Sequence, residues 1–235
     1  MNEKELKTSL TQRIIIIVVA VLLLGSTVFA YLFIVMSGSS SSDSGADDAK
    51  LAEIEEAYNA KVAEAGERAE ALSDKYFDTF VKYKSKVKAY NKNTANSEGL
   101  KTVDLKEGDG KQLKEEDYDY FSYYIGWCAD GEIFDSSLND VDNPTGLSAP
   151  LEDTSNTIAG WREGVVGMKL GGVREITMNG DLAYGDTREI CGGTGSPLKF
   201  IVMAVETDAE LAKLYEDLNS LYLQYNMLSG GSAAY

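Results

Sequence analysis

The sequence predicts an α+β fold: an antiparallel sheet packed around one short helix, with a membrane span, a long amphipathic helix and a C-terminal helix outside it. Three observations carry that prediction. Residues 14–36 are uninterrupted by charge. Residues 50–92 and 209–229 repeat apolar side chains at steps of three and four. Residues 102–208 read mostly as strands punctuated by turns.

The chain has 235 residues, no histidine and a formal net charge of −16. That charge argues against nucleic acid as a partner, because phosphate binding needs a basic face. The missing histidine removes the usual acid/base group near neutral pH and the commonest metal ligand, so triads and most zinc sites are excluded. No cofactor and no metal is expected. Chemistry must come from shape, apolar surface, backbone donors or carboxylates.

Residues 14–36 exceed the roughly 20 apolar residues a helix needs to cross a bilayer. Lys4, Lys7 and Arg13 precede them, and Asp43, Asp47 and Asp48 follow. The positive-inside rule then puts residues 1–13 in the cytoplasm and the remainder outside, on a single-pass plasma-membrane anchor. Val28-Phe29-Ala30 resembles a cleavage site, but apolar sequence continues to Met36, beyond a usual signal-peptide core, so the anchor is read as uncleaved. Residues 37–49, rich in Ser, Gly and Asp, form a flexible tether.

Over residues 50–92 the stripe Leu51, Ile54, Tyr58, Val62, Ala65, Ala69, Leu72, Tyr76, Phe80, Tyr83, Val87 and Tyr90 marks a long helix. The segment Asn91 to Gly99 breaks it. Leu211, Leu214, Leu218, Leu221, Tyr225 and Leu228 give a second stripe, the helix of residues 209–229. The two stripes either pack on each other or pair with copies in a homodimer, and the sequence leaves both open.

Within residues 102–208 the strands are YDYFSYYIGWCADG, GGVREITMN and PLKFIVMAVET, with IAGWREGVVGM between the first two as the short helix. Four blocks, YYIGWCADGEIFDSS, IAGWREGVVGMKLGGVREIT, LAYGD and SPLKFIVMAVE, resemble in order and spacing the signatures of the FKBP-type peptidyl-prolyl isomerases. The resemblance covers residues 102–208 alone. It implies a strongly curved sheet wrapped on the helix, with a shallow apolar pocket between them. By the same resemblance Tyr124, Phe134, Trp161, Tyr184 and Phe200 line the pocket, Trp161 as its floor. Asp135 and Thr157-Ile158 complete its walls, and the backbone N–H of Ile158 is the donor to substrate. Taken singly each ring is an ordinary core residue; five at the spacing of one pocket are not. Proline-containing polypeptides are the implied partners.

The sequence departs from the family in three places. No arginine lies between Ser137 and Trp161 to pair with Asp135, which leaves the Tyr124 hydroxyl as its donor. The loop of residues 138–153 lacks a phenylalanine, so Leu147 is the nearest apolar wall. The loop after Tyr184 carries TREICGGTG, where Ile190 alone is left to cover the pocket. Asp140 and Asp142 lack the spacing of a calcium loop. Cys128 and Cys191, both in the exported part, form either a disulfide or two free thiols.

The function expected is a membrane-tethered prolyl isomerase that assists the folding of exported or surface proteins. The competing readings are a proline-segment-binding chaperone without turnover and an oligomerising scaffold. The long helix ahead of the domain is similar in layout to surface isomerases of the macrophage infectivity potentiator type, where such a helix dimerises.

Overall fold

A computed structural model of the chain describes residues 44–229. The expected cytoplasmic segment, the membrane span of residues 14–36 and the first half of the tether lie outside the described residues. Among the described residues no helix is long and apolar enough to cross a membrane. In chain order the elements are α1 (Ser44–Phe80), a 3-10 turn (Val81–Lys86), α2 (Lys92–Glu98), β1 (Leu100–Lys106), β2 (Phe121–Trp127), β3 (Ile133–Ser136), a second 3-10 turn (Thr154–Asn156), α3 (Ala159–Gly164), β4 (Val173–Met178), β5 (Leu198–Val205) and α4 (Ala209–Leu228).

These bounds differ from the sequence expectation at both ends of the long helix. Helix α1 starts at Ser44, inside the expected tether, with Asp47 in its first turn, where an acidic side chain complements the helix dipole. It stops at Phe80 although the apolar stripe continues. Val87 turns extended and residues 87–90 leave the helix, because there they gain partners a helix would deny them. Lys88 O accepts from the Trp127 indole at 3.0 Å, Tyr90 N donates to Ala129 O at 2.8 Å, and the Tyr90 hydroxyl donates to Pro197 O at 2.9 Å. The expected break over residues 91–99 holds the short helix α2, capped by Asn91, whose side chain accepts from Thr94 N at 3.0 Å.

The described residues divide into two compact units, 44–66 with 214–229, and Glu67–Lys213. Within the first, Lys61 of α1 meets Asp217 of α4 at 3.1 Å, so the two helices pair inside one chain. That is one of the two arrangements the sequence allows.

The second unit holds a five-stranded antiparallel sheet in the order β1-β4-β5-β2-β3. Strands β2 and β5 are buried along nearly their whole length, which is why both read as near-continuous apolar runs. Successive side chains alternate between faces. Tyr123 points to one face, where its ring lies 6.0 Å from Tyr76 and 6.4 Å from Phe80 of α1. Tyr124 points to the other, where α3 packs. Helix α3 sits close against β4 because Gly160 and Gly164 offer no side chain; a Cβ there would come within 2.7 Å of Met178 Sδ and of Ile176 Cγ2. Leu113, Tyr120, Trp161, Val165, Met168, Ile176, Met178, Leu198, Phe200 and Val202 form the core between helix and sheet.

Candidate active site

Four rings from four elements converge between α3 and the sheet. The Tyr124 ring of β2 lies 5.4 Å from Trp161 of α3 at 81°, and 6.4 Å from Phe200 of β5. Phe200 lies 5.4 Å from Trp161 at 71°, and 5.6 Å from Phe134 of β3 at 88°. Three of the four contacts are edge-to-face, the arrangement the ring quadrupoles favour. Trp161 and Phe200 are 3% and 4% exposed, whereas Tyr124, Phe134 and Tyr184 are half-buried. The cluster therefore has a buried floor and a rim that reaches solvent.

Register and one glycine make room for it. Gly126 of β2 pairs with Phe200 on one side and Asp135 on the other. A Cβ at Gly126 would stand 2.7 Å from both Phe134 Cζ and Phe200 Cε1. The register shift beside Gly126, between β2 and β3, is where a bulge would bend the strand.

The carboxylate at the rim is held by a hydroxyl. Tyr124 Oη donates to Asp135 Oδ2 at 2.9 Å, and Asp135 Oδ1 accepts from Ser136 N at 2.9 Å. Burial first, and then the bond to Asp135, push the Tyr124 phenol well above its ordinary range, so it stays a donor. At the start of α3, Ile158 is the N-cap residue with extended backbone, and its carbonyl accepts from Trp161 N and Arg162 N. Its own N–H has no acceptor among the described residues, as expected of a group at a helix start. Thr157 turns its hydroxyl to Thr154 O at 2.8 Å, and its carbonyl accepts from Arg162 Nη1.

Tyr184, Ile190 and Ile158, each half-buried, pack against the core that includes Trp161 and Phe200, and Arg188 lies over the Tyr184 ring at 4.8 Å. Cys128 and Cys191 are bridged, S–S 1.99 Å, which ties the loop after Tyr184 to the end of β2. Leu147 does not join them. It is 8% exposed, bridges to Leu138 and donates its N–H to Ser73 Oγ of α1 at 2.8 Å, so it closes the loop against that helix rather than walling the recess.

Two supporting residues escape a reading of the sequence. Tyr120, 1% exposed, accepts a long bond from the Trp161 indole at 3.4 Å; its even-numbered alternation with Tyr124 was the available signal. Arg174 of β4 reaches the end of α3, donating from Nη1 to Gly164 O and Val166 O, both at 2.9 Å, and from Nε to Asp104 Oδ1 at 2.6 Å. An arginine inside an apolar strand carries no local sign of that partner.

This constellation has known counterparts. The family model for FKBP-type peptidyl-prolyl cis-trans isomerase matches residues 110–205. An FK506-binding protein of Neisseria meningitidis serogroup B is 36% identical over 118 residues, 50% of this chain and 98% of that protein. An FK506-binding protein of Streptomyces anulatus is 36% identical over 108 residues, 46% of this chain and 82% of that one. The peptidyl-prolyl cis-trans isomerase FKBP1A of Xenopus laevis is 32% identical over 89 residues, 38% of this chain and 79% of that one. With nearly the full length of one such relative spanned, the chain belongs to the FKBP-type peptidyl-prolyl cis-trans isomerase family.

Proposed function

We propose that the recess ringed by Tyr124, Phe134, Trp161, Tyr184 and Phe200 is where this isomerase turns prolyl bonds, and that it works from a membrane anchor on exported or surface polypeptides. The observation that carries the site is the meeting of four rings at 5.4–6.4 Å beside an uncommitted backbone donor.

Rotation about an X-Pro amide faces a barrier of roughly 18–20 kcal/mol and makes or breaks no covalent bond. A catalyst need only favour the twisted amide over the planar one. The planar form is stabilised by charge separation that water supports and aromatic walls do not, so entry into the recess costs it more than the twisted form. Trp161 and Phe200 supply that dry floor. The Ile158 N–H donates to the carbonyl of the residue before proline and fixes one end while the other turns. Asp135, held by Tyr124, sets the polar edge of the rim. Ile190 and Thr157 bound the peptide on either side. A ten-thousandfold acceleration needs only about 5.5 kcal/mol, at about 1.4 per tenfold, within reach of a few desolvated contacts and without any histidine.

The anchor rests on the uncharged residues 14–36 and the cationic-before, acidic-after flanks. Association of two copies completes the reading, supported by the solvent exposure of Tyr222, Leu223 and Met227 on α4.

A tetrapeptide prolyl-isomerisation assay tests the site. Phe134→Ala and Tyr184→Ala should each lower kcat/KM by about tenfold or more while the circular dichroism spectrum is retained. Turnover unchanged in both variants places the chemistry elsewhere.

A further inference from the structure

We propose that the Cys128–Cys191 disulfide is a positioning clamp: it holds the loop of residues 186–195 against the recess, and its redox state sets the affinity for prolyl peptide. The proposal rests on the recess being the catalytic site.

The loop is a hairpin turned on itself. Ile190 N–H donates to Gly193 O and Gly193 N–H to Ile190 O, both at 3.2 Å. Between them Cys191 and Gly192 have φ of 56° and 81°, the left-handed pair of a two-residue hairpin turn. Glycine and asparagine are the residues that suit such a turn. A cysteine at its first central position is there for its sulfur.

Among the described residues, every hydrogen bond of residues 186–195 stays within residues 184–196. Only side-chain packing and the disulfide tie the tip to the sheet. The packing is that of Ile190, Cys191 and Tyr184 on the core that includes Trp161 and Phe200, with Arg188 across the Tyr184 ring. The base of the loop is secured separately: Lys92 Nζ reaches Ser196 Oγ at 3.2 Å, and Tyr90 Oη reaches Pro197 O at 2.9 Å. Opening the bridge therefore frees the tip and its rim residues, and leaves the floor of Trp161 and Phe200 in place. A dithiol supplies the two electrons and two protons: the Sγ–Sγ bond breaks, Cys128 and Cys191 become thiols, and the dithiol leaves as its own disulfide. A loosened rim lowers the fraction of chains poised to bind peptide, which weakens KM and spares kcat.

The test is the tetrapeptide assay on the full chain, oxidised and after dithiothreitol, beside a Cys128→Ser/Cys191→Ser double variant, with amide hydrogen exchange on each. Reduction and the double variant should both raise KM by about fivefold or more with kcat within about twofold, and speed exchange in residues 186–195 only. If the double variant does not fold, the reduced natural chain gives the same readout. Equal KM in both redox states overturns the clamp and leaves the recess standing. A fall in kcat at constant KM, or faster exchange throughout β2 and β5, shows lost fold rather than a freed loop and also overturns it. No acceleration in the oxidised chain overturns the recess itself and the clamp with it.

Discussion

At Gly126 one missing carbon lets two rings meet. Its ideal Cβ would sit 2.7 Å from Phe134 and from Phe200, rings that already touch each other edge-on and cannot both retreat. Gly126→Ala should cost about 1–3 kcal/mol, the usual penalty of overpacking, and should lower kcat/KM more than its stability loss explains. Urea denaturation beside the peptide assay checks this, and a variant of unchanged stability and turnover would show that the rings are not packed as described. At this scale the sequence was most informative. The four matched blocks implied that Tyr124, Trp161 and Phe200 meet, and their rings lie 5.4–6.4 Å apart. Leu147 shows where that reading stops. Nothing local to residues 138–153 says that its N–H will meet Ser73, whose hydroxyl comes from a helix 74 positions earlier.

Between elements, Arg174 fastens α3 to the sheet. It occupies two carbonyls at the helix end and pairs with Asp104 of β1, while itself only 7% exposed. Helix α3 carries Trp161 and the Ile158 N–H, so its seating governs the site. Arg174→Ala should lower stability by about 2–3 kcal/mol, since it leaves the buried Gly164 carbonyl without its charged donor; the urea midpoint measures it, and an unmoved midpoint would contradict the assignment. The end of α1 was not legible for a related reason. Tyr83, Val87 and Tyr90 keep a helical spacing, yet Trp127, Ala129 and Pro197 offer Lys88 and Tyr90 hydrogen bonds that compete with the helix. Tertiary partners outweigh propensity where a segment is short. Strand β1 was equally faint, because an edge strand exposed at most of its positions lacks the apolar signal of β2 and β5.

For the whole molecule, the anchor and the paired copies are tested together on isolated membranes. After a carbonate wash the chain should remain in the pellet, and cross-linking should shift it to about twice its 25.6 kDa mass. Release into the supernatant, or a monomer band alone, removes the respective part of the proposal. The catalytic reading is tested most directly by nuclear magnetic resonance, titrating a proline-containing tetrapeptide into the 15N-labelled chain. The account predicts that the largest shifts fall on the Ile158 amide, the Trp161 indole and the amides around Tyr184 and Ile190. Shifts that spare those groups and gather on another surface would contradict it.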